Sequence, residues 1–246
     1  MPTVLFKDVG LVKGIAFDSW RRVGSAMQAV KVYNMREVDE LVYLDITATS
    51  DRRPPDFESV DDLADECFMP LTVGGGIRTV EDVRRLLQVG ADKVAINTMA
   101  VEKPKVIGHI AERFGSQCVV VSIDARRRAD GTHEVYTHAG TVATGRNPVS
   151  LAREVEALGA GEILLTSIDR DGTMMGYDIE LTRMVSSAVS IPVVASGGAG
   201  RYQDMAEVLR EGKASAVAAA SIFHFTEQTP LEAKRFLREQ GFAVRL

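Results

Sequence analysis

The chain has 246 residues, of which 46% are hydrophobic and 26% charged, and its formal net charge is −5. That balance is ordinary for a globular protein and argues against a general nucleic-acid binder, which needs a basic face. No apolar run reaches the roughly 20 residues of a membrane span, no signal peptide is recognised, and Cys67 and Cys118 form no disulfide framework, so a cytoplasmic chain is expected.

Taken in order, short apolar segments alternate with helical patterns. Strands are expected at residues 3–6, 40–44, 70–73, 93–96, 119–123, 162–166, 192–195 and 214–218. Helices are expected at 26–36, 59–67, 80–89, 104–114, 148–158, 180–187, 203–211 and 230–239, with Gly90, Gly159, Gly212 and Gly241 marking stops. Eight of each in alternation predict parallel strands with crossover helices, an α/β chain folded as one (β/α)8 barrel over residues 1–246. Four long connections, 7–25, 47–58, 124–147 and 168–178, all follow strands and so leave on one face. In such a barrel that face carries the chemistry.

The chain also repeats itself. Thr72-Val73-Gly74-Gly75-Gly76-Ile77 is echoed by Val194-Ala195-Ser196-Gly197-Gly198-Ala199, 122 positions later. Lys93-Val94-Ala95-Ile96-Asn97-Thr98 returns as Ala216-Val217-Ala218-Ala219-Ala220-Ser221 at 123, and Leu44-Asp45-Ile46-Thr47 as Ile168-Asp169-Arg170-Asp171 at 124. A near-constant offset of half the chain implies duplicated half-barrels, about 1–120 and 121–246.

After a strand, glycines let the backbone approach a ligand and aim N–H groups at an anion. Gly75 and Gly76 with Asn97 and Thr98 make one candidate phosphate site; Gly197 and Gly198 with Ala220 and Ser221 make the other. The structural alternative is two tight strand–helix turns. Two such sites across a barrel mouth imply a long ligand with a phosphate at each end. Asp45, Asp124, Asp169, Asp171 and Asp178 fall at or after strand ends, where a carboxylate serves as base, acid or ligand hook, or caps a turn. Among the histidines only His138, in a long mouth connection, is placed to reach a ligand; Trp20 reads as a cover for the first loop. No dinucleotide fingerprint, nucleophile elbow or metal-ligand spacing is found, so no cofactor or metal is expected. On the opposite face Glu40, Lys93 and Glu162 begin strands two, four and six and should converge on the barrel axis, as a stability ring or as a gate.

Val12-Lys13-Gly14, residues 39–48, Val73 to Ile77, 91–98, Phe114-Gly115-Ser116-Gln117, 159–173, Gly176-Tyr177-Asp178, 195–200, Ser221 to Phe225 and Val244-Arg245 together resemble the cyclase subunit of imidazole glycerol phosphate synthase. The resemblance covers nearly the whole chain, and the run from Gly161 to Thr173 is its most specific part. It implies a duplicated eightfold barrel, a lyase of histidine biosynthesis. Such an enzyme takes ammonia from a glutaminase docked at the N-terminal face and uses it to cleave and cyclise a bisphosphorylated ribonucleotide. It also implies a catalytic role for Asp124, with Asp171 a second candidate, substrate contacts from Lys13, Asp45 and Asp169, and an ammonia gate of Glu40, Lys93 and Glu162.

One departure stands out. The family has a second catalytic aspartate at the end of strand one, and both the Lys13-Gly14 anchor and the internal repeat put Leu5 there. The family's gate arginine falls before Met1 in this numbering. Residues 5–13, with Tyr33-Asn34, 36–41 and Glu66 to Pro70, resemble a paralogous branch thought to relay ammonia to an enzyme that amidates a sugar. Phe223-His224-Phe225 and Val244-Arg245 look more like the histidine enzyme. The readings left open are an ammonia-relaying paralogue, a working cyclase, and a non-catalytic phosphate-binding scaffold.

Overall fold

The structure, a computed structural model, describes residues 1–8 and 10–246; Val9, inside the first paralogue-like segment, lies outside the described residues. Eight parallel strands form the wall: β1 (Thr3–Lys7), β4 (Leu41–Asp45), β5 (Leu71–Gly74), β6 (Lys93–Ile96), β7 (Val119–Arg127), β10 (Glu162–Ser167), β11 (Val193–Ser196) and β12 (Ala216–Val217). Each pairs with the next, and the ring closes where Pro2 meets Ala219 in a single parallel bridge, reinforced by Thr3 N–H donating to the Ala219 carbonyl at 2.9 Å.

Residue parity builds two cores. Val42, Ala95, Val120, Leu164, Val194 and Ala218 point inward and fill the barrel axis. Leu41, Tyr43, Val119, Val121, Ile163 and Leu165 point outward and are nearly or fully buried under the helices. Strands buried on both faces explain why the sequence shows apolar runs instead of alternation.

The helical layer comprises α1 (Ala26–Met35), α2 (Phe57–Asp65), α3 (Val80–Gln88), α5 (Lys105–Phe114), α6 (Pro148–Ala157), α7 (Ile179–Ser186), α8 (Tyr202–Arg210) and α10 (Pro230–Glu239). Local chemistry sets their starts. Thr79 with Asp82, and Thr229 with Glu232 ahead of Pro230, make reciprocal capping boxes, while Asn147 caps α6 in front of Pro148. Gly90, Gly159 and Gly241 take the left-handed conformation just past their helices, as expected. Gly212 does not; Lys213 has φ 55° instead. Gly212 is needed for space, since a Cβ there would sit 2.6 Å from the Val208 carbonyl oxygen.

Periodicity missed the elements inside the long connections. The first holds a hairpin, β2 (Gly10–Ile15) and β3 (Asp18–Gly24), continuing antiparallel from β1. In the third, β7 runs past the barrel rim to pair with β8 (His133–Thr137), which pairs with β9 (Val142–Ala143). Two five-residue helices, α4 (Thr98–Glu102) and α9 (Ser221–Phe225), follow β6 and β12.

Candidate active site

A cavity opens at the C-terminal ends of the barrel strands and reaches down the axis as far as Thr3 and Ala95. Asp124, from β7, lines it and is 8% exposed. Burial, the largest influence, pushes its carboxyl up to about 7; the nearby Asp171 carboxylate adds to this, while hydrogen bonds from Ser122 and Thr166 oppose it. Ser122 Oγ lies 3.4 Å from Asp124 Oδ1. Lys13, on β2 and 3% exposed, donates to both carboxylate oxygens of Asp171 at 2.7 and 2.6 Å. The cavity therefore holds a carboxyl group poised near neutrality beside a buried ammonium–carboxylate pair.

Across the mouth, the corresponding position on β1 is Leu5. Leu5 pairs with Leu44 as Asp124 pairs with Thr166, and both line the cavity. Leu5 puts an apolar wall where it can transfer no proton. Neither Lys7 nor Asp8 is among the lining residues; Asp8 is exposed, in a left-handed turn at φ 55°.

Both glycine turns lie at the rim. Gly75 and Gly76 have φ 107° and 71°, Gly197 and Gly198 φ 90° and 110°. Tight packing alone demands glycine here: a Cβ on Gly75 would meet the Asp45 carbonyl oxygen at 2.2 Å, and one on Gly198 the Gly176 carbonyl oxygen at 2.2 Å. The duplication extends to the backbone. Asn97 and Ala220 precede α4 and α9 in nearly the same conformation, φ −114°, ψ −80° and φ −130°, ψ −68°, and neither helix start receives a side-chain cap. Thr98 and Ser221 line the cavity beside their glycine turns. Asn97 also lines it, but its amide nitrogen donates to the carbonyls of Ser122 and Tyr136, so the side chain ties β6 to β7 and β8. Ser221 Oγ is buried without a partner.

The remaining acids separate. Asp45 lines the cavity, yet its Oδ1 accepts from the N–H groups of Thr47 and Ala48, from Thr47 Oγ1 and from Arg53 Nη2, and Arg53 Nη1 lies 2.6 Å from Oδ2. It shapes the loop after β4. Asp169 is not brought into the cavity; it accepts from Arg127 N–H at 2.7 Å and faces Arg126 at 3.8 Å. The physical reason is register. Glu40 and Glu162 open equivalent strands, which aligns Asp45 with Ser167 and leaves Asp169 two residues further out. Asp178 caps α7 and bonds the buried His133 at 3.2 Å. His138 lies outside the cavity lining, its imidazole 3.8 Å from Glu102. Phe17 and Trp20, from the β2–β3 hairpin, do line it. Their signal was two large aromatics in a connection otherwise too long to be bare.

At the other end of the barrel, Lys93 Nζ lies 2.8 Å from Glu40 Oε2 and 3.0 Å from Glu162 Oε2. Burial works against charge on Lys93, but its bonds to both glutamates outweigh this and its pKa is raised. Burial also raises Glu162, which Lys93 only partly offsets. Above this triad, Thr3 Oγ1 and Thr72 Oγ1 are buried without partners.

The family model described as histidine biosynthesis protein matches residues 3–229, which spans every barrel strand, both glycine turns and the charged triad. Closed eightfold barrel, duplicated rim and a match over nearly the whole chain agree: the chain belongs to the histidine biosynthesis protein family.

Proposed function

We propose that this barrel is a paralogue of the imidazole glycerol phosphate synthase cyclase subunit. It receives ammonia from a glutaminase at its N-terminal face and relays it for amidation of a sugar or related phosphorylated compound. One observation carries the reading: Leu5 occupies the β1 position opposite Asp124 while the Lys93 triad at the barrel base is fully formed. Three of the four charges that the resemblance assigns to an ammonia gate are together at the base, while the position of one proton-transfer group holds leucine. The two glycine turns, with Thr98 and Ser221, support binding of a ligand carrying phosphate at both ends.

A working cyclase is the second reading, favoured by Asp124 and by the Lys13–Asp171 pair, a second carboxylate in the same cavity. Ammonia-dependent turnover of the bisphosphorylated ribonucleotide by this chain separates the two. The expected rate is lower than for a two-aspartate barrel by roughly 10²–10⁴, the contribution of one general acid or base. Leu5→Asp should recover part of it. A native chain turning over at the ordinary rate of such barrels would reject the relay and give the second role to Asp171.

A further inference from the structure

We propose that Arg21 and Phe225 are positioning residues that latch the β2–β3 hairpin onto α9 and hold Lys13 and Trp20 in the mouth cavity. The guanidinium of Arg21 lies 3.8 Å from the centroid of the Phe225 ring. Arg21 is the cross-strand partner of Lys13, so the hairpin presents two cations side by side. Each has its own anchor on a different barrel loop. Lys13 takes both oxygens of Asp171, and Arg21 takes the π face of Phe225, the last residue of α9.

The division has a physical consequence. A guanidinium is the better fork for a carboxylate, and Arg21 freed from the ring would compete with Lys13 for Asp171. Phe225 offers Arg21 a partner that carries no net charge and so keeps Asp171 for Lys13. The hairpin is otherwise joined to the β10 loop by the Ala16 N–H to Asp171 carbonyl bond at 2.8 Å and by Gly172, whose Cβ would lie 2.1 Å from the Gly14 carbonyl oxygen. Trp20 rides on this arrangement: its ring crosses Gly14, where an added Cβ would be 2.8 Å from Cε3, and it lines the cavity. Because α9 starts at Ser221 beside Gly197 and Gly198, the latch joins the hairpin to the second glycine turn and not to the first. The effect on ligands rests on the cavity being the substrate site; the latch itself does not.

Trp20 is the chain's one tryptophan, so its fluorescence reports the hairpin directly. Trp20 is half-buried in the native protein, and acrylamide quenching should be stronger in Phe225→Leu and Arg21→Ala, in which loss of one such stack shifts the latch equilibrium roughly threefold toward the open hairpin. Phe225→Tyr, which keeps the π face, should quench like the native chain. Phe225→Leu keeps the apolar volume, and circular dichroism checks that it folds. Native-like quenching in folded Phe225→Leu overturns the latch. Inorganic phosphate provides the second arm: its affinity should fall in Phe225→Leu and recover in Phe225→Tyr. Equal affinity in native and Phe225→Leu protein rejects the role toward the cavity. A native chain that binds no phosphate instead defeats the reading of the site and leaves the latch judged by quenching.

Discussion

A buried acid with a pKa of about 7 sets a pH dependence that surface carboxylates do not. The ordinary aspartate value, 3.8, describes Asp124 in the unfolded chain. Below pH 4 both states hold the proton. Between pH 4 and 7 the unfolded state releases it while the native state keeps it, so stability falls as pH rises, by an amount of order 4 kcal/mol once the native carboxyl also ionises. Asp124→Asn removes that cost while keeping an acceptor for Ser122. The variant should therefore melt several degrees above the native chain at pH 8, and the gap should narrow by more than half at pH 5 and close below pH 4. A gap of the same size at both pH values would mean that Asp124 is ionised in the native state throughout. Its position at the rim could be read from its place just after Val119 to Ile123, but its protonation could not, because its burial depends on closure of the barrel around it.

Strands and helices were the most legible scale. Apolar run length, capping residues and glycine stops located all eight strand–helix units to within a few residues. The missed strands share one cause: β2, β3, β8 and β9 gain stability by extending strands already in the barrel, so their sequences carry no independent period, whereas α4 and α9, at five residues each, are too short to show one. The repeat offset was readable, but the third echo was misaligned by two residues, enough to put Asp169 in the mouth on paper and outside it in space. The three charges expected to converge at the base because they begin alternate strands do meet there, Lys93 bonding both Glu40 and Glu162. Their triad gives a prediction at this scale. Lys93→Met leaves Glu40 and Glu162 facing each other, and a loss of roughly 1–3 kcal/mol is expected at pH 8, smaller at pH 5 because burial favours the protonated form of Glu162. If the triad gates ammonia, glutamine-driven turnover with the partner should fall while activity with added ammonium survives. Equal loss with both nitrogen sources would reduce Lys93 to a structural tie.

At the scale of the whole molecule the ring has a weak link. β12 has two residues, in register with β11 at Val194–Ala216 and Ala195–Val217, with flanking bonds from the Ser215 and Ala218 N–H groups to the Val193 and Ala195 carbonyls, and it meets β1 through the Pro2–Ala219 bridge, with the Ala219 N–H donating to the Met1 carbonyl at 3.0 Å and the Met1 amino group donating to the Val217 carbonyl at 2.9 Å. A second cavity lies behind this closure, lined by Ala214, Ala216, Ala219, Ala233, Met205 and Leu237. Short pairing, small side chains and the adjoining cavity make this stretch the place where local opening should begin. Amide exchange at 216–219 should be faster than at Val119 to Val121 by orders of magnitude; equal protection would show a uniformly closed ring. The clasp lies between Leu5 and Ser221, at the edge of the second glycine turn, whereas the first turn sits on continuous wall between β5 and β6. A ligand held at both turns would act as a staple across a ring whose fastening is loose, and its binding would be read most sharply as slowed exchange at 216–219, beside the second turn and away from the first.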